Sequence, residues 1–371
     1  MRRGSRLLPI IFVLQVVLLL VGYLLYKTWT FSPSTGGVAA PGWLQLVIVL
    51  LSLAFVPASV LALRYTNVLV RVFYKIAAVW VGLLSFCSIA MASSWIVFGV
   101  ARLAGFNPDF HAIAEVFFAL AGAAVILGVF NASWTRTTRI TVQLEDLPDA
   151  WRGRKAALIS DLHLGPVRNG SFMRRMVRKI LGEEPHAIFI AGDLYDGTAI
   201  DAAKAAEPLR ELAAPHGVYF VAGNHDQFRD DGKYLEAVAR AGVRVLDNEK
   251  IEVEGLQIVG VPYRNASHPK TFASVLCGLG VDRGRPSILL THAPDHPQIA
   301  EAAGISLQLS GHTHLGQFIP WSWIARRVYR QFVYGLSRIG NMQVFTSSGA
   351  GTWGPPLRLG SNPEIVVLQF E

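Results

Sequence analysis

The chain reads as an α/β domain preceded by a four-helix transmembrane region. Three features carry that reading: an uneven spread of apolar residues, a charge boundary near residue 135, and short apolar strands ending in polar clusters beyond it. With 52% hydrophobic and 16% charged residues among 371, the composition excludes an ordinary soluble protein and a disordered chain alike. Residues 1–135 hold eight Lys/Arg and two Asp/Glu, net +6, whereas residues 136–371 hold twenty-six and twenty-four, net +2. The polar segment therefore lacks the positive field that counterion release exploits, and no nucleic acid partner is expected. Cys87 lies in an apolar run and Cys277 far downstream, so no disulfide framework is expected and a reducing compartment fits.

Four stretches reach the roughly 20 apolar residues that a bilayer core demands: residues 7–26, 43–63, 76–100 and 112–130. The first, preceded by Arg2, Arg3 and Arg6, has the flank of a signal peptide, but it lacks a small-residue cleavage site and three further spans follow. Cations near span ends are retained preferentially in the cytoplasm. With the N-terminus inside, the inner segments carry Arg2, Arg3, Arg6, Arg64, Arg71, Lys75, Arg136, Arg139, Arg152, Arg154 and Lys155, and the outer loops only Lys27 and Arg102. The expectation is a multi-pass protein of the inner (cytoplasmic) membrane with its polar half facing the cytoplasm. Trp43 and Trp95, near span ends, suit an interfacial belt. His111 and Glu115 share a helix face in the first turn of the fourth span, where snorkelling to the outer interface is favoured over an ion pathway. The spans are read as an anchor, not a transporter.

From about residue 136 the texture changes. Residues 136–152 form a linker and first strand, and residues 153–371 a domain of short apolar runs bounded by Gly, Pro, Asp or Asn. Strands are expected at 156–160, 187–191, 218–222, 256–261, 288–290, 307–309 and 342–346, with helices at 172–181, 202–212 and 234–241 packed outside the sheet.

What stands immediately after those strands carries the chemistry. Asp161 and His163 follow in SDLHLG, Asp193 in AGDLYDG, Asn224, His225 and Asp226 in AGNHDQ, His292 in THAP, and His312 and His314 in SGHTHLGQ. A lone histidine is more often structural than a ligand; five clusters at strand C-terminal ends, converging on one rim, reverse that weighting. Asp-x-His and His-x-His are expected to place both side chains on one face of an extended segment, since the strand period is two. The glycines before Asp193, Asn224 and His312 let the backbone approach closely. Imidazole with carboxylate suits Mn, Fe or Zn better than Ca.

The ordered pattern DxH, GDxxD, GNHD, THxP and GHTH resembles the calcineurin-like metallophosphoesterase superfamily over residues 153–371. The LGPVRNG, GHTHLGQ and SSGAGTWGPP stretches resemble its branch of bacterial membrane-associated phosphoesterases, some of which act on the pyrophosphate of lipid intermediates. The resemblance implies a four-layer α-β-β-α sandwich. It also implies two divalent ions, one held by Asp161, His163 and His314, the other by Asn224, His292 and His312, with Asp193 bridging. His225 matches the superfamily position that protonates the leaving oxygen or stabilises the transition state, with Asp226 as its orienting partner. Asp196 is read as a supporting or turn residue, not a ligand.

Two dications about 3.5 to 4 Å apart lower the pKa of a water between them and clamp the oxygens of an in-line displacement. Two carboxylates, Asp161 and Asp193, leave such a site cationic, which favours a phosphate-containing substrate over a neutral ester. The expected activity is therefore metal-dependent hydrolysis of a phosphodiester or pyrophosphate bond, with a lipid-linked substrate suggested by the spans. Arg168 and the Gly-rich run 347–354 are candidate phosphate contacts. Trp321 and Trp323, in an apolar and basic segment after His314, are candidate substrate contacts at the membrane interface, or else part of an ordinary packed loop. A second reading is a catalytically silent metal- or nucleotide-sensing domain that regulates a membrane partner.

Overall fold

The computed structural model describes residues 4–31, 42–228 and 232–371; Arg2 and Arg3, counted in the orientation argument, lie outside them. The chain forms two compact units, Met1–Phe130 with Gly354–Leu359, and Asn131–Trp353 with Gly360–Glu371.

The first unit is built on α1 (Gly4–Trp29), α2 (Gly42–Ala62), α3 (Val68–Leu103) and α4 (Phe110–Ser133), all long and apolar enough to cross a bilayer. Helix α3 starts earlier than the expected residue 76 because Asn67 caps it, its Oδ1 accepting from Val70 N at 3.0 Å. Arg71 and Lys75 are consequently helical, where a connecting segment was expected. Three interior polar side chains find partners, as an apolar surrounding favours: Gln15 Nε2 donates to Ser52 O at 2.9 Å, Trp80 Nε1 to Ser52 Oγ at 3.3 Å, and Trp95 Nε1 to Thr28 Oγ1 at 3.2 Å. Glu115 is exposed on α4. Gly354–Leu359 is a strap laid among these helices: Leu357 is fully buried beside Gly82 and Gly128, and Arg358 N donates to Gly128 O at 2.9 Å. Glycine at both positions leaves room for the leucine.

The second unit contains β1 (Arg136–Val142), β2 (Lys155–Ile159), α5 (Gly170–Leu181), β3 (Ala187–Ile190), α6 (Ala202–Ala206), β4 (Val218–Phe220), α7 (Gly232–Arg240), β5 (Arg244–Val245), β6 (Glu249–Val253), β7 (Leu256–Gly260), α8 (Tyr263–Ala266), α9 (Pro269–Leu279), β8 (Ser287–Leu290), α10 (Pro297–Ala302), β9 (Leu307–Ser310), α11 (Trp321–Tyr329), β10 (Gly335–Ile339), β11 (Met342–Thr346) and β12 (Glu364–Phe370). Two six-stranded mixed sheets result, ordered β1-β12-β2-β3-β4-β5 and β10-β11-β9-β8-β7-β6.

Side-chain alternation sets the layers. Ala156, Leu158, Ile258, Ile288 and Leu290 meet in a core between the sheets. Their neighbours Ala157 and Ile159 turn outward onto α5 and α7, and Val259 and Leu289 onto α9 and α10. Helix, sheet, sheet and helix thus stack in the expected four-layer order. The helix expected over 202–212 ends at Ala206 and continues as a 3₁₀ turn through Glu211, since Pro208 lacks the amide that an α-helix would need. Strand β12, which the sequence pattern did not single out, lies between β1 and β2 in the first sheet.

Candidate metal centre

Every residue in the five polar clusters follows a strand: β2, β3 and β4 of the first sheet, β8 and β9 of the second. Within each sheet these strands are parallel neighbours, so their C-terminal ends share one edge.

The local backbone differs from the expected extended pairs. Asp161 (φ 54°), His163 (φ 49°), Asp193 (φ 50°), His312 (φ 72°) and His314 (φ 49°) all occupy the left-handed region. Asp161/His163 and His312/His314 therefore converge through repeated sharp turns and not through strand alternation. Left-handed non-glycine residues each cost about 1–3 kcal/mol, which the surrounding packing must supply. Close approach is enforced at Gly223 and Gly311: a Cβ on the former would overlap Asp193 Oδ1, and on the latter Asp161 Oδ2.

Among the described residues, three overlapping groups of potential ligands result, each with its ligand atoms within 4.8 Å of one another: Asp161, His163 and His314; His163, Asp193 and His225; Asp193, His292 and His312. Asp193 is common to two of them. Its Oδ2 lies 3.7 Å from His163 Nε2 and 3.2 Å from His292 Nε2. His314 Nε2 is 3.5 Å from Asp161 Oδ1. Asn224 lies in the same loop, between Gly223 and His225, and its buried Oδ1 has no hydrogen-bond partner.

The donor atoms suit a cation. His292 donates Nδ1–H to Ala191 O at 2.8 Å, which leaves Nε2, 3.2 Å from Asp193 Oδ2, as the nitrogen free to take a proton or a metal. His292 Nε2 and His312 Nδ1 are 3.0 Å apart, and His163 Nε2 and His314 Nε2 are 3.1 Å apart. Ring nitrogens approach this closely only around a shared proton or metal. Without a metal, burial opposes charge on Asp193, but His292 holds its carboxylate well below the usual range. Burial likewise lowers His292, yet the charge and hydrogen bond of Asp193 outweigh it and push the imidazole up to about 10. Burial, reinforced by the charge of His292, drives His312 down to about 3.

His225 stands beside this centre, its ring 4.9 Å from that of His163 and its amide donating to Asp193 Oδ1 at 2.9 Å. Burial lowers its pKa. Its Nδ1 lies 3.0 Å from Asp196 O, which makes Nδ1 the donor and leaves Nε2 toward the site. Asp226, the expected orienting partner, is engaged elsewhere: its carboxylate accepts from Tyr195 N at 3.0 Å and Gly223 N at 2.9 Å. It ties two ligand loops together, and burial followed by the charge of Asp193 raises it to about 7. Asp196 supports the centre twice, through that carbonyl and through Oδ1, 3.4 Å from His163 Nδ1.

The remaining expected contacts lie differently. The guanidinium of Arg168 donates to Ala132 O at the end of α4 and packs 4.8 Å from the ring of Phe172. In the run 347–354, Ala350 N donates to Ser160 O and Gly351 N to Asp161 O, so these amides support the Asp161 turn. Trp321 and Trp323 are exposed on α11. Three aromatic neighbours of the centre were not anticipated: Trp353, 5.7 Å from His225, and Tyr263 and Tyr329, 5.5 and 6.1 Å from His312. Tyr263 stands three residues after the end of β7, in the loop region where the ligands of other strands lie, a placement that could have flagged it.

A family model described as calcineurin-like phosphoesterase matches residues 154–316. An uncharacterized metallophosphoesterase of Aquifex aeolicus is 31% identical over 258 residues, covering 67% of this chain and 97% of that protein. An uncharacterized metallophosphoesterase of Campylobacter jejuni is 27% identical over 300 residues, covering 77% of this chain and 79% of its own length. The transmembrane protein with metallophosphoesterase domain of Danio rerio is 31% identical over 258 residues, covering 65% of this chain; the match spans only 58% of the fish protein.

Proposed function

This chain belongs to the calcineurin-like metallophosphoesterase family, and from that premise we propose that it is a membrane-anchored phosphoesterase. It hydrolyses a phosphodiester or pyrophosphate bond of a lipid-linked substrate with two divalent ions, drawn from Mn, Fe or Zn. Asp161, His163 and His314 would hold one ion and Asn224, His292 and His312 the other, with Asp193 available to both. The observation that carries this reading is the place of Asp193 Oδ2 between the two ligand sets, 3.7 Å from His163 Nε2 and 3.2 Å from His292 Nε2. When bound, such ions lower the pKa of a neighbouring water and polarise the phosphoryl oxygens.

The chain's own groups supply the remaining chemistry. Asp161 and Asp193 leave two dications incompletely neutralised, so the site attracts a phosphate anion. Asp196 O fixes the tautomer of His225, whose Nε2, once protonated, hands a proton to the departing oxygen. Tyr263 packs beside the His312 imidazole and Trp353 beside that of His225. The four apolar helices motivate the lipid substrate, and the excess of Lys and Arg on the inner segments motivates an inner-membrane location with the second unit in the cytoplasm.

Full-length protein loaded with Mn should hydrolyse an aryl phosphodiester and, faster, a lipid-linked pyrophosphate in mixed micelles, and Asp193→Ala should be inactive. Metal-loaded, folded protein that binds these compounds without releasing product would favour the sensing reading instead.

A further inference from the structure

Helix α11 is amphipathic in the wrong sense for a globular surface. Its inward positions are Ser322, Ala325 and Tyr329, whereas Trp321 (51% exposed), Ile324 (52%) and Val328 (63%) form a solvent-facing stripe at i, i+3 and i+7. Trp323 is 62% exposed beside them. Scattered exposed apolar residues need no explanation, but four on one nine-residue helix form a patch that calls for a partner.

Charge identifies the partner. Arg326 and Arg327 are exposed on the same helix, and the segment from Pro320 to Arg338 contains no Asp or Glu. A second copy of α11 would bring four arginines face to face, which disfavours self-association. An anionic leaflet accepts both halves of the surface, with tryptophan at the headgroup level and arginine reaching the lipid phosphates. Such a leaflet is also at hand: α4 ends at Ser133 and β1 begins at Arg136, so two residues separate a span-length helix from the domain that carries α11.

We propose that α11 is an interfacial helix that lays Trp321, Ile324 and Val328 into the headgroup–acyl boundary of an anionic bilayer leaflet, with Arg326 and Arg327 on its phosphates. The helix is built onto the metal-ligand loop. Gly316, two residues after His314, is packed against Ser322, and the ring of Tyr329 lies 6.1 Å from that of His312. A docked α11 therefore presents the centre to phosphates at the membrane surface. That consequence rests on the hydrolase reading; the docking itself does not.

The test reads depth, not turnover. Full-length protein carrying Cys87→Ser, Cys277→Ser and Ile324→Cys is labelled with an environment-sensitive fluorophore and placed in nanodiscs whose acyl chains are brominated. Strong quenching is expected with phosphatidylglycerol present and weak quenching with phosphatidylcholine alone. Arg326→Glu with Arg327→Glu should lower the docking equilibrium constant, read from the quenched fraction, about fivefold or more per arginine. A label left unquenched with phosphatidylglycerol, one quenched equally without it, or one shielded from aqueous iodide by a second copy would each overturn the proposal. A quenched label on an inactive enzyme would remove the hydrolase reading alone, and an unquenched label on an active one the docking alone.

Discussion

His163 Nε2 and His314 Nε2 lie 3.1 Å apart with their rings stacked at 27°, although one residue follows β2 of the first sheet and the other β9 of the second. The pair brings the two sheets together at a point where a shared proton or a bound metal relieves the contact between ring nitrogens.

Chelation should therefore act on the fold as well as on activity. A ligand held at 100 times its Kd adds about 2.7 kcal/mol of stability. Metal-loaded protein is expected to melt several degrees above the same protein dialysed against chelator, measured by intrinsic fluorescence of the full chain in micelles.

The metal-free state carries its own pH dependence. His292 has a folded pKa pushed up to about 10 from an ordinary 6.5. A raised basic pKa means the folded state binds the proton more tightly, so the added stability is fully present below about 6.5 and is lost as pH rises through about 10. Melting of the chelated protein should fall over that window, and His292→Ala should flatten the slope. Since a metal must displace this proton, metal affinity should rise over the same range.

Replacing His225 by alanine should slow hydrolysis by about 100-fold or more for an alkyl leaving group and far less for 4-nitrophenolate, which leaves without a proton. Steady-state kcat on paired substrates checks this. An equal loss on both would remove His225 from proton donation.

Asp196→Ala removes the carboxylate beside His163 Nδ1 while keeping the carbonyl that orients His225. Metal affinity should weaken by about 10- to 100-fold, with kcat at saturating metal much less affected. Competition against a fluorescent chelator measures the affinity directly.

Much of this architecture was legible in the sequence because short buried strands and polar clusters at their ends are local signals. Ile188 and Leu290 announce strands through their neighbours, and Asp161 or His312 announce themselves through the glycines and ligands around them. The left-handed turns were not legible: an Asp-x-His pair has the same spacing whether its backbone is extended or coiled. Partner choice is also non-local. Asp226 sits beside His225 in sequence, yet its carboxylate reaches the amides of Tyr195 and Gly223, while Asp196, twenty-nine residues from His225, supplies the ring's acceptor. Strand β12 escaped notice because its place in the middle of a sheet depends on pairing with β1 and β2.

The strap from Gly354 to Leu359 bears on how the protein must be handled. Its leucine and buried arginine have their seat among α3 and α4, not in the domain that precedes and follows them in sequence. A recombinant fragment starting near residue 136, the obvious shortcut to a crystallisable protein, would leave an orphaned greasy loop directly after Trp353, the neighbour of His225. Such a fragment should clump and lose the ordering of that tryptophan, because the apolar residues of the strap would have no seat.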